Sequence, residues 1–230
     1  MDKKRIRLWD LPTRVFHWSL VLLVVASFVS GKIGGNAMVW HGRCGLAILG
    51  LLSFRLLWGL IGSTYARFLT FLPTPAAVLA YLRGQWRGLG HNPLGALSVF
   101  GLLGLLAFQV GSGLFANDDI AFRGPLHALI SSGLSERLTG WHKLSVNLLL
   151  LLVILHLLAI GFYAHAKGDN LLKPMLTGWK EVDPEQGPPA TGGGPLAFSV
   201  ALAFAIAAVY AGSGAWLPAP AAVPVSAPAW

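Results

Sequence analysis

Four histidines lie in or beside apolar segments of this chain, and their spacing suggests chemistry at imidazole rings. His142 and His156 are fourteen residues apart in an almost unbroken apolar segment. Fourteen residues make nearly four turns of an α-helix, so both rings leave the same face, about 21 Å apart along the axis. His17 and His41 stand near the start of two other apolar segments. Ionisable residues inside a membrane usually face a bundle interior and carry function.

The composition is that of a polytopic membrane protein. Of the 230 residues, 55% are hydrophobic and 11% are charged, and several apolar segments approach the length of about 20 residues that crosses a bilayer core. The formal charge of +8 comes from basic residues that cluster beside these segments, which is typical of topology signals and argues against a nucleic-acid partner. The single cysteine, Cys44, excludes an internal disulfide and a Cys-x-x-Cys-His attachment site for covalent haem.

The apolar segments predict an all-α integral membrane fold, a four-helix transmembrane bundle with a fifth, C-terminal transmembrane helix. The basic segment 1–14 predicts a cytoplasmic N-terminus under the positive-inside rule. A secretory signal is the alternative for the first apolar segment, and the spans that follow argue against it. The four-helix domain covers residues 15–166, with spans at about 15–31, 41–61, 94–116 and 142–166, and the fifth span lies at about 196–217.

The segments between the spans are predicted from composition and capping signals. Thr74 before Pro75 indicates a short interfacial helix in the second connection, and LHALISSGLSERL has the spacing of a separate surface helix in the outer loop. The cytoplasmic linker, 167–195, contains the sequence EQGPPATGGGP, which favours flexibility. The Pro/Ala-rich tail, 218–230, is predicted to be disordered.

The predicted topology pairs the four histidines by depth. His41 and His142 fall near the outer surface, whereas His17 and His156 fall toward the inner surface. Measured from the inner boundary, the second pair is mismatched by roughly 12 Å. Neutral imidazole suits iron, and two axial imidazoles leave no open coordination position, so the iron only exchanges electrons. The pattern predicts two non-covalent b haems, with interhelical hydrogen bonding as the alternative for any single histidine.

Two arginines and one glutamine also lie in the predicted spans. Arg55 follows His41 by fourteen residues, which places it on the same face as His41 and at the level of His156. Arg55 and Arg43 are candidate partners of haem propionates, and snorkelling to the interface is the alternative for both. Gln109 is a lone polar residue in the middle of the third span, which predicts an interhelical hydrogen bond.

The other histidines have weaker signals. His91, in GHNP, is expected at the cytoplasmic edge of the third span in a helix-start or surface role, with a quinone contact or proton relay as the minority alternative. His127 is predicted on the surface of the outer loop, and His165 at the inner interface.

Several short segments resemble the bacterial cytochrome b561 and nickel-iron hydrogenase b-type cytochrome family. They are RLWDLPTRVFHW, WHGRCG, GHNPLGAL, and LTGWHK followed fourteen residues later by the histidine of ILHLLAI. The similarity runs from about residue 5 to 180. It implies a four-helix membrane protein with two b haems that passes electrons between quinones and soluble or periplasmic partners, with His17, His41, His142 and His156 as ligands. The fifth span departs from the family pattern, so nothing carries over to it.

The sequence therefore predicts a diheme b-type cytochrome of a bacterial inner membrane. It would move electrons between the quinone pool and a periplasmic redox protein such as a c-type cytochrome, either as a carrier or as a subunit of an oxidoreductase; a homodimer is left open. The alternatives are the membrane anchor of a hydrogenase or formate-dehydrogenase-like complex, a metal-ion or proton transporter, and a haem-free anchor. No glycine-rich phosphate loop or H-E-x-x-H pair supports hydrolase chemistry.

Overall fold

The computed structural model describes residues 3–118, 122–185 and 187–218. A short strand, β1 (Lys4–Arg7), precedes the first helix, and β2 (Trp179–Val182) follows the sixth. Short 3₁₀ turns lie at Gly35–Ala37, Thr64–Ala66, Phe68–Phe71 and His127–Leu129. The helices are α1 (Leu11–Ile33), α2 (Met38–Ile61), α3 (Pro75–Leu82), α4 (Pro93–Leu114), α5 (Ser132–Ala166), α6 (Leu172–Thr177) and α7 (Pro195–Gly212).

Within the described residues, five helices are long and apolar enough to cross a membrane: α1, α2, α4, α5 and α7. This confirms the predicted all-α membrane fold. Helix α2 is central, because it packs against α1, α4 and α7, while α5 packs against α4. Many large apolar side chains of the long helices are exposed, as expected where a helix faces lipid. The buried core between α2, α4 and α5 consists of Ile48, Leu52, Leu106, Val110 and Leu149.

Three helices begin with a capping side chain followed by proline. The side chain of Asn92 accepts a hydrogen bond from the Gly95 amide at 2.8 Å at the start of α4. Thr74 accepts one from the Ala77 amide at 3.2 Å and starts α3, so the predicted short helix there is confirmed. Asp10 caps α1 in the same way. Proline suits the first helical turn because its missing N–H would have no intrahelical partner there.

Helix α5 begins at Ser132, ten residues before the predicted start of the fourth span. The separate surface helix expected in the outer loop is wrong, since most of that segment forms the first turns of α5. Hydroxyls of these turns hold the segment against the end of α4: Ser135 donates to the Phe115 carbonyl at 2.7 Å, and Thr139 accepts from the Asn117 amide at 2.9 Å.

Helix α7 packs on α2 through small residues. A Cβ on Gly50 of α2 would lie 2.8 Å from Val209, and one on Gly212 of α7 would lie 2.4 Å from Leu49. Such close approach between helices is the usual role of small residues in membranes. Helix α7 ends at Gly212, five residues before the predicted end of the fifth span. Apart from Pro218, the predicted disordered tail lies outside the described residues.

The basic N-terminal segment and the linker after α5 are joined by an antiparallel strand pair that the sequence did not predict. Lys4 lies opposite Val182, and Arg7 lies opposite Trp179. The Gly/Pro-rich part of the linker, expected to be flexible, is also held: the Ala190 amide donates to the Arg7 carbonyl at 2.8 Å. These contacts attach the linker to the end of the bundle at which α1 begins, named the inner end here after the predicted topology, with the outer end opposite.

Asp10 connects three elements through one buried carboxylate. It accepts hydrogen bonds from the Thr13 amide at 2.6 Å, from Trp58 Nε1 at 3.0 Å and from the Ser63 hydroxyl. Removal of the carboxylate costs the cap of α1 and leaves the indole N–H of Trp58 without its acceptor. We expect Asp10→Ala to lower the free energy of unfolding by about 2–4 kcal/mol, measured by thermal unfolding in detergent.

The matched control is Asp183→Ala, because Asp183 is exposed and its removal should change stability by less than about 0.5 kcal/mol. Equal stability of the two variants would contradict the structural role assigned to Asp10.

Candidate functional site

His41 and His142 meet between α2 and α5. Their ring centres are 5.9 Å apart, with the ring planes at 84°. Two metal–imidazole bonds of about 2 Å each would hold ring centres roughly 6 Å apart, so the spacing fits one metal ion between the rings. His41 lies in the first turn of α2, and His142 lies ten residues after the start of α5. Their assignment as ligands stays a prediction.

Both rings use Nδ1 to bind a backbone carbonyl of a neighbouring helix. His41 Nδ1 lies 2.8 Å from the carbonyl oxygen of Ser27 on α1, and His142 Nδ1 lies 2.9 Å from that of Gln109 on α4. A carbonyl oxygen only accepts, so Nδ1 of each neutral ring carries the hydrogen and Nε2 keeps its lone pair. This is the tautomer in which Nε2 can bind a metal while Nδ1–H fixes the ring orientation.

Gln109 makes the interhelical hydrogen bonds that the sequence predicted. Its amide nitrogen donates to the His142 carbonyl at 3.1 Å and lies 3.2 Å from His142 Nε2, while its carbonyl accepts from the Ser145 hydroxyl. Binding of a metal at Nε2 of His142 therefore requires that this amide turn away from the ring.

His142 and His156 leave α5 toward the bundle interior. His156 is partly buried, whereas its neighbours Leu155 and Leu157 are 51% and 61% exposed. His142 is likewise partly buried beside Trp141, which is 53% exposed. The exposure pattern agrees with the prediction that the fourteen-residue spacing puts both rings on one face.

A second group of polar residues lies at the inner end, around His91. The ring of His91 packs between Trp9 and Phe71, with ring centres 4.7 and 4.6 Å away. Burial lowers the pKa of His91 to about 3, with smaller electrostatic contributions from Arg55, His156 and His17 included in that value. His91 is therefore neutral at physiological pH. The helix-start role expected for it belongs to Asn92 instead.

Three side chains of this inner group have buried nitrogen atoms without a hydrogen-bond partner in the described part of the chain. They are His17 Nδ1, Arg55 Nη1 and His91 Nδ1. Arg55 is only 3% exposed, and its guanidinium lies 4.5 Å from the ring centre of Phe68. The Asp10 carboxylate interacts electrostatically with Arg55, although its hydrogen bonds come from Thr13, Trp58 and Ser63. A buried cation with no directly bound anion is strongly unfavourable. The inner group thus fits a ligand that brings an anionic group to Arg55.

Arg43 lies in a different environment. It is exposed, and its guanidinium stacks over the indole of Trp40 at 5.0 Å. This arrangement is typical of a cation at the membrane interface. A propionate contact by Arg43 stays a prediction.

The outer and inner groups are separated along the helices. The Ser27 carbonyl that binds His41 comes ten residues after His17 on α1, a rise of about 15 Å, and His156 comes fourteen residues after His142 on α5, a rise of about 21 Å. Helix α1 begins six residues before His17, and α5 ends ten residues after His156. Measured from these helix ends, the positions of His17 and His156 differ by about 6 Å.

The groups that bind Nδ1 of the outer histidines were not identified from the sequence. These are the carbonyls of Ser27 and Gln109 and the hydroxyl of Ser112, which lies 3.2 Å from His142 Nδ1. A signal was present: a polar residue is followed by glycine four positions later, at Ser27–Gly31 and at Gln109–Gly113.

The chain is similar in sequence to known proteins. A family model described as prokaryotic cytochrome b561 matches residues 8–178. The chain is 22% identical to the probable Ni/Fe-hydrogenase 1 B-type cytochrome subunit of Escherichia coli K12, over 75% of this chain and 89% of that protein. It is 24% identical to the probable Ni/Fe-hydrogenase B-type cytochrome subunit of Azotobacter vinelandii, over 76% of this chain and 88% of that protein. No solved structure matches the chain significantly.

Proposed function

Because the chain belongs to the prokaryotic cytochrome b561 family, a family of multi-pass membrane proteins that bind haem b, we propose that it carries two such haems and moves electrons across the bacterial inner membrane. Electrons would pass between the quinone pool and a periplasmic redox protein such as a c-type cytochrome. The observation that carries the proposal is the meeting of His41 and His142 at 5.9 Å, with each Nδ1 bound to a carbonyl.

His41 and His142 would be the axial ligands on the outer side, and His17 and His156 those on the inner side. Haem iron held by two imidazoles would supply one-electron transfer and would leave no position for oxygen or substrate. The carbonyls of Ser27 and Gln109 hold the outer rings in the Nδ1–H tautomer, and Arg55 would bind a propionate on the inner side.

A cleft at the inner end of α5 supports a quinone contact on that side. The cleft has a volume of about 590 Å³. Tyr163 follows His156 by two helical turns, about 10 Å along the same face, and its hydroxyl bonds to the Tyr81 hydroxyl and accepts from the Asn92 amide at 2.8 Å. A cleft with convergent polar groups suits a quinone headgroup. It is lined by Tyr81, Trp86, Arg87, Tyr163, Lys167 and Asp169.

The second candidate function is that of the cytochrome b subunit of a hydrogenase or formate-dehydrogenase-like complex. The names of the relatives in Escherichia coli and Azotobacter favour the hydrogenase, since both are described as Ni/Fe-hydrogenase subunits. Co-purification with a large metalloenzyme subunit would support this candidate over a free electron carrier.

The proposed function is tested on the purified protein. We expect a b-type reduced-minus-oxidised spectrum and about two haems per polypeptide. A quinol analogue should reduce both haems, and a soluble c-type cytochrome should reoxidise them. A colourless protein from cells with ample haem would contradict the proposal and favour the metal-ion or proton transporter or the haem-free anchor.

A further inference from the structure

Two helices hold the outer histidines in the same kind of site, which we name the imidazole seat. A seat consists of a helix carbonyl, the glycine four residues after it, and a nearby serine hydroxyl. We propose that Gly31 on α1 and Gly113 on α4 are positioning residues, which admit the rings of His41 and His142 to these carbonyls and so direct each Nε2 toward a shared iron. This inference rests on the proposed function.

The seat on α1 consists of Ser27 and Gly31. The Ser27 carbonyl lies 2.8 Å from His41 Nδ1, and the Ser27 hydroxyl lies 3.2 Å from the same nitrogen. A Cβ placed on Gly31 would lie 2.9 Å from Nδ1 and 3.2 Å from Cε1. The ring therefore occupies the space that a side chain at position 31 would take.

The seat on α4 repeats this arrangement with different residues. The Gln109 carbonyl lies 2.9 Å from His142 Nδ1, and the Ser112 hydroxyl lies 3.2 Å from it. A Cβ on Gly113 would lie 3.0 Å from Cε1 and 3.3 Å from Nδ1 of His142. The two seats belong to separate helices and hold rings that face each other.

Helix geometry explains why glycine follows the carbonyl by four residues. A helical carbonyl binds the N–H four residues later with one lone pair, and its second lone pair can accept another hydrogen bond. A helical side chain leans toward the N-terminus and covers the turn that precedes its own Cα. The side chain at position 31 or 113 would thus cover the carbonyl of Ser27 or Gln109, and glycine leaves it open to the ring.

The hydrogen bond in each seat affects how strongly the imidazole ring binds a metal. Donation from Nδ1–H to a carbonyl fixes the tautomer and the ring orientation, and it makes Nε2 a stronger donor. A stronger donor favours the ferric state, so both seats should keep the midpoint potential of the outer haem low. Weakening either bond should raise that potential.

The test compares glycine-to-alanine variants of the full-length, haem-loaded protein by redox titration and low-temperature EPR. We expect Gly31→Ala and Gly113→Ala to raise the midpoint potential of the outer haem and to shift its ferric EPR signal, with the inner haem unchanged. The outer haem is identified as the signal that His142→Ala lacks. Gly31→Ala should have the larger effect, because its Cβ would come closest to Nδ1.

The controls are Gly104→Ala and Gly111→Ala on α4, where an added Cβ would meet nothing within 4 Å. They should leave both haems as in the native protein. Selective loss of the outer haem in Gly31→Ala or Gly113→Ala also supports the proposal. If these variants match the controls with both haems in place, the seats have no positioning role.

Two further variants, with smaller structural changes, keep the proposal testable if Gly31→Ala or Gly113→Ala misfolds. Ser27→Ala and Ser112→Ala remove only the hydroxyl and should raise the outer potential by a smaller amount. The proposal is overturned if the midpoint potential of the outer haem is unchanged in both glycine-to-alanine variants and in both serine-to-alanine variants. A native protein without haem would instead refute the proposed function itself, so the two failures are distinguishable.

Discussion

His41→Ala and His142→Ala should each remove the same haem and lower the haem content from about two to about one per polypeptide. The reason is that the two rings face each other at 5.9 Å across a single site, so either substitution leaves the iron one axial ligand short. His17→Ala and His156→Ala should remove the other haem. The measurement is a pyridine haemochrome assay per protein, with redox titration to identify which haem remains.

Double variants make this test sharper. His41→Ala combined with His142→Ala should lose no more haem than either single variant, whereas His41→Ala combined with His17→Ala should lose both haems. His127→Ala serves as the control in the outer loop, since its Nδ1 bonds to the local Gly124 carbonyl at 2.9 Å. The pairing is wrong if His41→Ala and His142→Ala remove different haems.

The contact between His41 and His142 could be predicted from the sequence, because position along a membrane-spanning helix corresponds to depth in the bilayer. Each span has a nearly fixed length and a known direction, so the fourteen residues from His142 to His156 translate directly into about 21 Å. The structure places the ring of His41 against that of His142, which is the contact that this reasoning predicts. The ligand roles themselves await the haem measurements.

Contacts between segments far apart in the chain could not be predicted in this way. The pairing of Arg7 with Trp179, and of Asp10 with Trp58, depends on how the helices rotate and pack. Local patterns carry no information about that rotation. His91 shows the same limit, because its packing between Trp9 and Phe71 requires three separate segments to meet.

The start of α5 was mispredicted for a local reason. Gly133 and Gly140 favour interruption of a helix, and the segment around them is polar. Tertiary hydrogen bonds from Ser135 and Thr139 to the residues after α4 outweigh this preference. The helix therefore continues outward past the predicted end of the span.

The imidazole seats were not predicted from the sequence for another reason: their main hydrogen-bond acceptors are backbone carbonyls. A sequence names side chains, but it does not show which carbonyl is left uncovered. In the sequence, the glycine four residues after Ser27 and after Gln109 is the sign that the carbonyl is uncovered. Together with a histidine at the same level on a neighbouring helix, such a pair predicts a hydrogen bond from the imidazole Nδ1 to the uncovered carbonyl.

Arg55→Leu should lower the midpoint potential of the inner haem and destabilise the haem-loaded protein. A positive charge near a haem stabilises the added electron by about 1–3 kcal/mol, which corresponds to about 40–130 mV for one electron. Arg55→Lys keeps the charge and should preserve most of the potential. Arg43→Leu is the control, because Arg43 is exposed and stacks on Trp40, and it should leave the inner potential unchanged.

Arg55→Leu should stabilise the haem-free protein, although it should destabilise the haem-loaded protein. Arg55 Nη1 is buried without an acceptor in the described ranges, and the Asp10 carboxylate compensates the charge of Arg55 only in part, so the haem-free protein carries an unfavourable buried charge, which leucine would remove. We therefore expect Arg55→Leu to raise the unfolding temperature of protein from haem-deficient cells and to lower that of the haem-loaded protein. Stabilisation in both forms would show that Arg55 binds no propionate, because the charge would then be unfavourable whether or not haem is present.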